Sequence, residues 1–107
     1  MTGKIRERTN MKTDTIDFAD GSKTVYYYDD SDLEVRVEDV GPDGKLIMAV
    51  EKNYNETGIC TGWEVNDGKG SLLKRFELSF DDQGNEIETR QYDNRGNLEH
   101  VLPPHLV

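Results

Sequence analysis

The chain has 107 residues, 22 of them acidic and 13 basic, which gives a net charge of −9 at pH 7. This length fits one domain, since a second core would bury too little surface to be stable. The negative charge argues against recognition of nucleic-acid phosphates or of an anionic membrane surface, because both need a basic patch. It favours a basic protein partner.

The first twelve residues differ in charge from the rest of the chain. They carry four basic side chains and one acidic side chain, and they show no hydrophobic periodicity. We therefore expect residues 1–12 to form a flexible basic arm, residues 13–102 an all-β domain, and residues 103–107 a C-terminal tail.

Cysteine usage and the N-terminal sequence bear on the cellular compartment. Cys60 is the only cysteine, so the chain cannot form an intramolecular disulfide. The first residues contain no apolar stretch typical of a signal peptide. We expect a cytoplasmic protein.

Beyond residue 12 the chain is punctuated by short segments rich in Gly, Asp and Asn. Glycine supplies the positive φ that tight turns need, while Asp and Asn side chains accept hydrogen bonds from nearby backbone amides. Seven segments have this composition, at residues 20–21, 29–32, 41–44, 53–58, 66–70, 81–84 and 93–96. Seven turns predict about eight strands.

The segments between the turns alternate in polarity, as half-buried strands do. In residues 33–38 the alternation places Leu33, Val35 and Val37 on one face and charges on the other. Residues 86–92 alternate in the same way. We expect one face of each of these strands to be solvated.

Three segments are apolar on both faces, which is typical of central strands or of a curled sheet. They are residues 26–28, 46–50 and 72–80. Residues 71–80 also fit a helical spacing of apolar side chains, so strand and helix remain alternatives there.

A twelve-residue repeat occurs near the C-terminus. Residues 80–85 and 92–97 both read aromatic, Asp, any residue, any residue, Gly, Asn. Repetition of one strand-plus-turn unit produces a meander of hairpins. The sequence therefore predicts an all-β, single-domain antiparallel meander of about eight short strands, forming either a curled sheet or a small up-and-down barrel.

The repeat also resembles a known family. Residues 92–98, Tyr-Asp-Asn-Arg-Gly-Asn-Leu, resemble the YD-repeat motif of Rhs-type proteins, and residues 41–46, Gly-Pro-Asp-Gly-Lys-Leu, resemble a second turn of such units. Large members of that family wrap many hairpins around a toxin. Small acidic proteins with similar hairpins resemble the immunity proteins of bacterial polymorphic toxin systems. This resemblance implies direct binding of a toxin domain.

The chain offers few groups for catalysis. Nucleophilic catalysis would pair Cys60 with His100 or His105. Cys60 lies between Ile59 and Thr61 in a predicted strand, where a half-buried thiol is the simpler interpretation. We predict no catalytic residues and no enzyme.

Metal and cofactor sites are also not predicted. Asp29, Asp30, Asp32 and Glu34 supply oxygens at alternating positions, but they lack the twelve-residue calcium loop and its glycine. One cysteine with two histidines forms no zinc spacing motif. No glycine-rich loop precedes a helix, so no phosphate site is predicted.

The acidic side chains carry the functional hypothesis. A small acidic domain without a catalytic set suits a stoichiometric inhibitor that binds a basic enzyme, as an immunity or antitoxin protein does with a nuclease-type toxin or as a phage inhibitor does with a host defence enzyme. The predicted partner-binding residues are Asp29, Asp30, Asp32, Glu34, Glu38, Asp39, Asp81, Asp82, Glu86 and Glu88.

Two alternatives come from other features of the sheet. A closed barrel would let its aromatic side chains line a ligand cavity, as in small-molecule-binding barrels. Unpaired edge strands would allow homo-oligomeric assembly into a structural module. Trp63 is among these aromatic residues, and we expect it to be a core anchor.

Overall fold

The structure is a computed structural model that describes residues 12–103. The predicted basic arm up to Met11, and the tail from residue 104 with His105, lie outside the described residues. Residues 12–103 form eight strands. These are β1 (Lys12–Asp17), β2 (Lys23–Tyr28), β3 (Glu34–Val40), β4 (Leu46–Tyr54), β5 (Cys60–Asp67), β6 (Leu72–Phe80), β7 (Glu86–Tyr92) and β8 (Leu98–Leu102).

The strands follow one another through a single sheet in sequence order, and each pairs antiparallel with the strand before it. The prediction of an all-β meander of about eight strands is confirmed. The segment at residues 71–80 is a strand, not a helix. Strands β1 and β8 are not paired with each other, so the sheet stays open and does not form the barrel that the sequence left as one of two architectures.

All seven turns share one hydrogen-bonding pattern. The first residue donates its N–H to the carbonyl of the fifth, and the fourth donates its N–H to the carbonyl of the first; in the β6–β7 turn these bonds join Asp81 to Asn85 and Gly84 to Asp81. The fourth residue has a positive φ. Six turns use glycine at this position, and the β2–β3 turn uses Asp32 with φ of 65°.

Six of the seven hairpins contain a β-bulge close to the turn. In the β3–β4 hairpin, for example, Val40 pairs with Leu46 and Asp39 pairs with Met48, so Ile47 is an extra residue without a partner. By the same reading of the registers, the extra residues are Val35, Ile47, Thr61, Leu73, Ile87 and Glu99. Strict alternation would put the residues before and after each extra residue on the same face. The bulge puts them on opposite faces.

The bulges correct the simple alternation predicted for residues 33–38. The pattern breaks at Val35, and Glu34 therefore lies opposite Tyr28. They also explain the apolar segment at residues 46–50, where the exposed Ile47 is the extra residue.

The ladder pairs assign side chains to two faces, since directly opposed residues point the same way. On the face that we call the aromatic face, Tyr26, Val37, Val50 and Val65 form one cross-strand row, beside the pair Trp63–Phe76. On the other, which we call the charged face, a parallel row contains Tyr27, Arg36, Glu51, Glu64, Arg75 and Tyr92.

The described residues form one layer only. Ala49, with 2% of its surface exposed, is their only buried apolar side chain, whereas Trp63 and Phe76 are half-buried. Globular domains usually bury a sheet face against a second layer. Within residues 12–103 no such layer covers either face.

Candidate protein-binding surface

The turns of a meander alternate between the two ends of its sheet, and the two ends differ in charge. The turns at residues 29–33, 55–59 and 81–85 lie at one end, which we call the acidic edge. They contain six carboxylates and no basic side chain: Asp29, Asp30, Asp32, Glu56, Asp81 and Asp82. The two outer turns are separated by four strand spacings, or about 19 Å.

The four turns at the opposite end carry charges of both signs. They contain four carboxylates, Asp20, Asp43, Asp67 and Asp93, and three basic side chains, Lys45, Lys69 and Arg95. The excess of negative charge in the turns is therefore concentrated at the acidic edge.

Two carboxylates of the acidic edge also stabilise their own turns. The carboxylate of Asp81 accepts hydrogen bonds from the backbone N–H groups of Gln83 and Asn85, both at 2.9 Å. These bonds, that of Asn85 foremost, lower the pKa of Asp81 below its ordinary value. Asp29 accepts the N–H groups of Ser31 and Leu33 in the same way. Their charges are thus partly neutralised by backbone dipoles.

The other carboxylates of this edge are freer to meet a partner. Asp32 forms an ion pair of 2.7 Å with Lys12, and both side chains are largely exposed, so the pair contributes little to stability. The carboxylates of Asp30, Glu56 and Asp82 make no hydrogen bond or ion pair with other described residues, and all three are exposed. They are the carboxylates best placed for contact with another molecule.

The remaining predicted partner-binding residues have partners within the chain. Glu34 pairs with Lys52 on the aromatic face. Glu38 accepts hydrogen bonds from the Tyr27 hydroxyl at 2.9 Å and from Arg36 at 2.8 Å on the charged face. Burial of Tyr27 raises its pKa, and the hydrogen bond from its hydroxyl to Glu38 raises the pKa further.

Three further predicted residues complete this set. Asp39 accepts the Thr24 hydroxyl at 2.9 Å on the aromatic face. Glu86 lies 3.4 Å from the Thr89 hydroxyl, and Glu88 pairs with Arg90 at 2.5 Å. The structure therefore brings five of the ten predicted residues together in the acidic-edge turns, and it distributes the other five over the strands of both faces.

Glu56 belongs to the acidic edge although the sequence analysis did not select it. It lies in the turn between β4 and β5, at the same end as the other two acidic turns. The alternation of turns in a meander is the signal that would have found it. A shallow groove beside it is lined by Asp29, Ser31, Tyr54 and Glu56.

The charged face is held together by contacts among its own side chains. Arg36 contacts Glu51 at 3.0 Å, and Arg75 contacts Glu77 at 2.6 Å. The Arg75 guanidinium also lies over the Tyr92 ring, 4.5 Å from its centroid, in a cation–π contact.

The aromatic face is organised around one stacked pair. The rings of Trp63 and Phe76 are 5.0 Å apart between centroids and inclined by 20°. The Tyr54 hydroxyl donates a hydrogen bond of 2.6 Å to the Glu34 carbonyl. Trp63 was predicted to anchor the core, but it is only half-buried, on a face that no other part of residues 12–103 covers.

The candidate catalytic groups are not brought together. Cys60 begins β5 and is half-buried, with its Sγ 3.6 Å from the Gly62 carbonyl. His100 lies in β8, three strands away. Within residues 12–103, no three His, Cys, Asp or Glu side chains are grouped so that they could hold a metal ion.

The described part of the chain contains no helix long and apolar enough to cross a membrane. Comparison of the sequence with protein-family models, of the chain with curated proteins and of the fold with solved structures finds no match.

Proposed function

We propose that this chain is a stoichiometric protein-binding inhibitor that uses its acidic edge to bind a basic protein. The partner class is a nuclease-type toxin, which makes the chain an immunity or antitoxin protein; a host defence enzyme inhibited by a phage protein has the same chemistry. One observation carries the proposal: three neighbouring turns present six carboxylates with no basic side chain among them. No catalytic step is part of it.

The geometry of this edge suits a nuclease. An enzyme that binds a nucleic-acid backbone has a cleft lined with Lys and Arg. A row of carboxylates spread over about 19 Å at the end of a sheet is complementary to such a cleft. The field of these carboxylates would also accelerate association at low salt.

The test is co-purification with a basic protein encoded beside the gene for this chain, followed by titration calorimetry. We expect Asp82→Lys to weaken binding about tenfold, because it places a like charge against a basic surface. Asp82 has no hydrogen-bonded role within the described residues, so the fold should tolerate the change.

Asp17→Lys is the matched control. The Asp17 carboxylate is also exposed and makes no hydrogen bond within residues 12–103, but it lies at the opposite end of the sheet. The affinity of the Asp17→Lys variant for the basic partner should stay within about twofold of that of the unsubstituted protein. Equal weakening by both substitutions would mean that only net charge matters, and no binding to any neighbouring gene product would reject the proposal.

A second candidate function is supported by the edge strand β8. Leu98, Val101 and Leu102 are 50%, 51% and 42% exposed, so this edge offers apolar side chains beside unpaired backbone groups. Such an edge suits strand addition and assembly. Self-association that Val101→Pro abolishes, with the substitution leaving the circular dichroism spectrum unchanged, would favour the assembly module over the inhibitor.

A further inference from the structure

We propose that the aromatic face is covered by a second copy of this chain, so that two sheets pack face to face as a symmetric dimer. The proposal concerns a different surface from the acidic edge and does not depend on the proposed function. It starts from the finding that residues 12–103 contain one buried apolar side chain and no second layer.

The centre of the aromatic face has the character of an interface. The row Tyr26, Val37, Val50 and Val65 contains no charge, and the stacked Trp63 and Phe76 lie beside it. Met48 and Leu78 extend this apolar centre along β4 and β6. Aromatic and methionine side chains are enriched at the centres of protein interfaces.

The face also carries charges of both signs, and they lie within it as well as at its rim. Lys52 is the ladder partner of Trp63, and Asp39 and Asp67 are the ladder partners of Met48. The registers place five further charged side chains on this face: Lys12, Asp14, Glu34, Lys74 and Glu86. Lys12 and Lys52 already pair with Asp32 and Glu34 within the chain, so Lys74 is the lysine of this face that can meet the carboxylates of a second copy. A strongly basic partner would find its match at the acidic edge and not here.

The area of the face suits a dimer. Measured along the curled surface, eight strands span seven spacings, or about 34 Å, and strands of this length extend about 23 Å, so the whole face has an area of nearly 800 Å². Stable complexes bury about 800 Å² on each partner. A face-to-face pair also has the closed twofold symmetry that most homodimers adopt.

Residues 1–11 and 104–107 carry few large apolar side chains. Residues 1–11 contain three large apolar side chains, Met1, Ile5 and Met11, among three basic ones, and residues 104–107 contain Leu106 and Val107. Five such side chains are too few for a face of this size. A second copy supplies an apolar surface of equal extent.

The first experiment measures mass. Light scattering on a size-exclusion column from 5 to 200 µM should give about twice the chain mass of 12.2 kDa at the upper end. Trp63 is the only tryptophan, so its emission reports the proposed interface directly. We expect the emission maximum to move to shorter wavelength, and iodide quenching to fall, as the dimer forms. A monomer at 200 µM overturns the proposal.

Variants then identify the surface. Ile16 and Leu102 lie on the aromatic face at its two outer strands and are 48% and 42% exposed, so lysine should be tolerated in the folded chain. Ile16→Lys with Leu102→Lys should weaken dimerisation at least about tenfold, because it buries two like charges. Circular dichroism checks that the fold is kept.

The control pair is Leu98→Lys with Val101→Lys. These residues are 50% and 51% exposed and lie on the charged face, opposite Tyr92 and Arg90. Dimerisation should change less than about threefold. Loss of the dimer in the control pair alone would place the contact at the charged face or the β8 edge and overturn the proposal. Asp82→Lys should leave the dimer intact, so that failure of this proposal and failure of the inhibitor proposal are distinguishable.

Discussion

The two faces of the sheet are built on the same strands but are stabilised in different ways. On the aromatic face, four uncharged side chains from Tyr26 to Val65 lie in one row, which ends in Asp14 on β1 and Lys74 on β6. The neighbouring row, formed by the adjacent residue of each strand, lies on the charged face. It contains two Arg and two Glu side chains, with a Tyr ring at each end. Its Arg side chains make ion pairs and, at Arg75, a cation–π contact.

The difference shows which face is complete within one chain. On the charged face the small residues Ala49 and Gly62 are buried, and long side chains such as Arg36 and Glu51 pair between neighbouring strands of this face. On the aromatic face the large rings stay half-exposed, because no part of residues 12–103 lies over them. The charged face satisfies its own polar groups, whereas the aromatic face gains most from an added layer.

The largest expected effect tests the close packing beneath the charged face. A Cβ built at Gly62 would lie 2.3 Å from the carbonyl oxygen of Phe76, a backbone atom that cannot turn aside. Gly62→Ala should therefore force β5 and β6 apart. We expect a loss of about 3 kcal/mol in the free energy of unfolding, measured by urea denaturation.

Gly84→Ala is the control for this substitution. Gly84 has a φ of 84°, but a Cβ there would meet no atom within 4 Å. Its cost should be about 1 kcal/mol, from the left-handed backbone alone. Equal costs at the two positions would show that conformation, and not the approach of β6, requires glycine at residue 62.

The next effect tests the aromatic face. Trp63→Ala should cost about 2 kcal/mol, less than for a fully buried ring, because Trp63 is only half-buried and loses its stack on Phe76. Trp63→Phe should recover more than half of this loss, since a phenyl ring can also stack. Denaturation should be measured at a protein concentration low enough to exclude self-association, so that the value refers to one sheet.

If Trp63→Ala lowered the free energy of unfolding by less than about 0.5 kcal/mol, the stack of Trp63 on Phe76 would not stabilise the aromatic face as expected. This result would mean that the stack contributes nothing to the single sheet, and that the face is stabilised only after another surface covers it.

The sequence was sufficient to predict the elements because turns and strands have local causes. Gly84 and Gly96 take positive φ, and Asp81 and Asp93 accept the amides of their own turns. Contacts within five residues decide these features. The order of the strands then follows from the short turns, which leave each strand next to its predecessor.

The bulges could not be predicted, because an extra residue changes the register without changing composition. The strand at residues 46–50 is apolar on both faces, as the sequence predicted, but strict alternation would put Leu46 and Met48 on the same face. They lie on opposite faces because Ile47 is inserted between them. A single sequence does not distinguish these two arrangements.

The sequence predicted that the candidate site would be acidic, but not which carboxylates would lie together. The choice of acidic residues included Asp81 and Asp82, which share the acidic edge, and Glu88, which pairs with Arg90 on a strand. Which carboxylates are already paired depends on cross-strand register. The charge of the chain shows only that many of them exist.

The smallest expected effect separates charge from stacking on the charged face. Arg75 pairs with Glu77 and lies over Tyr92, with its side chain about one third exposed. Arg75→Ala should cost about 1 kcal/mol in 50 mM salt, because a partly exposed ion pair and a cation–π contact are each modest. In 1 M salt the cost should fall but not vanish, since the packing of the guanidinium on the ring is not screened.

Arg75→Lys keeps the positive charge but not the planar group. It should therefore keep the salt-dependent part of the stabilisation and lose part of the salt-independent stabilisation. If Arg75→Lys matched the unsubstituted protein at both salt concentrations, the contact with Tyr92 would contribute nothing, and the charged face would be held by ion pairs alone.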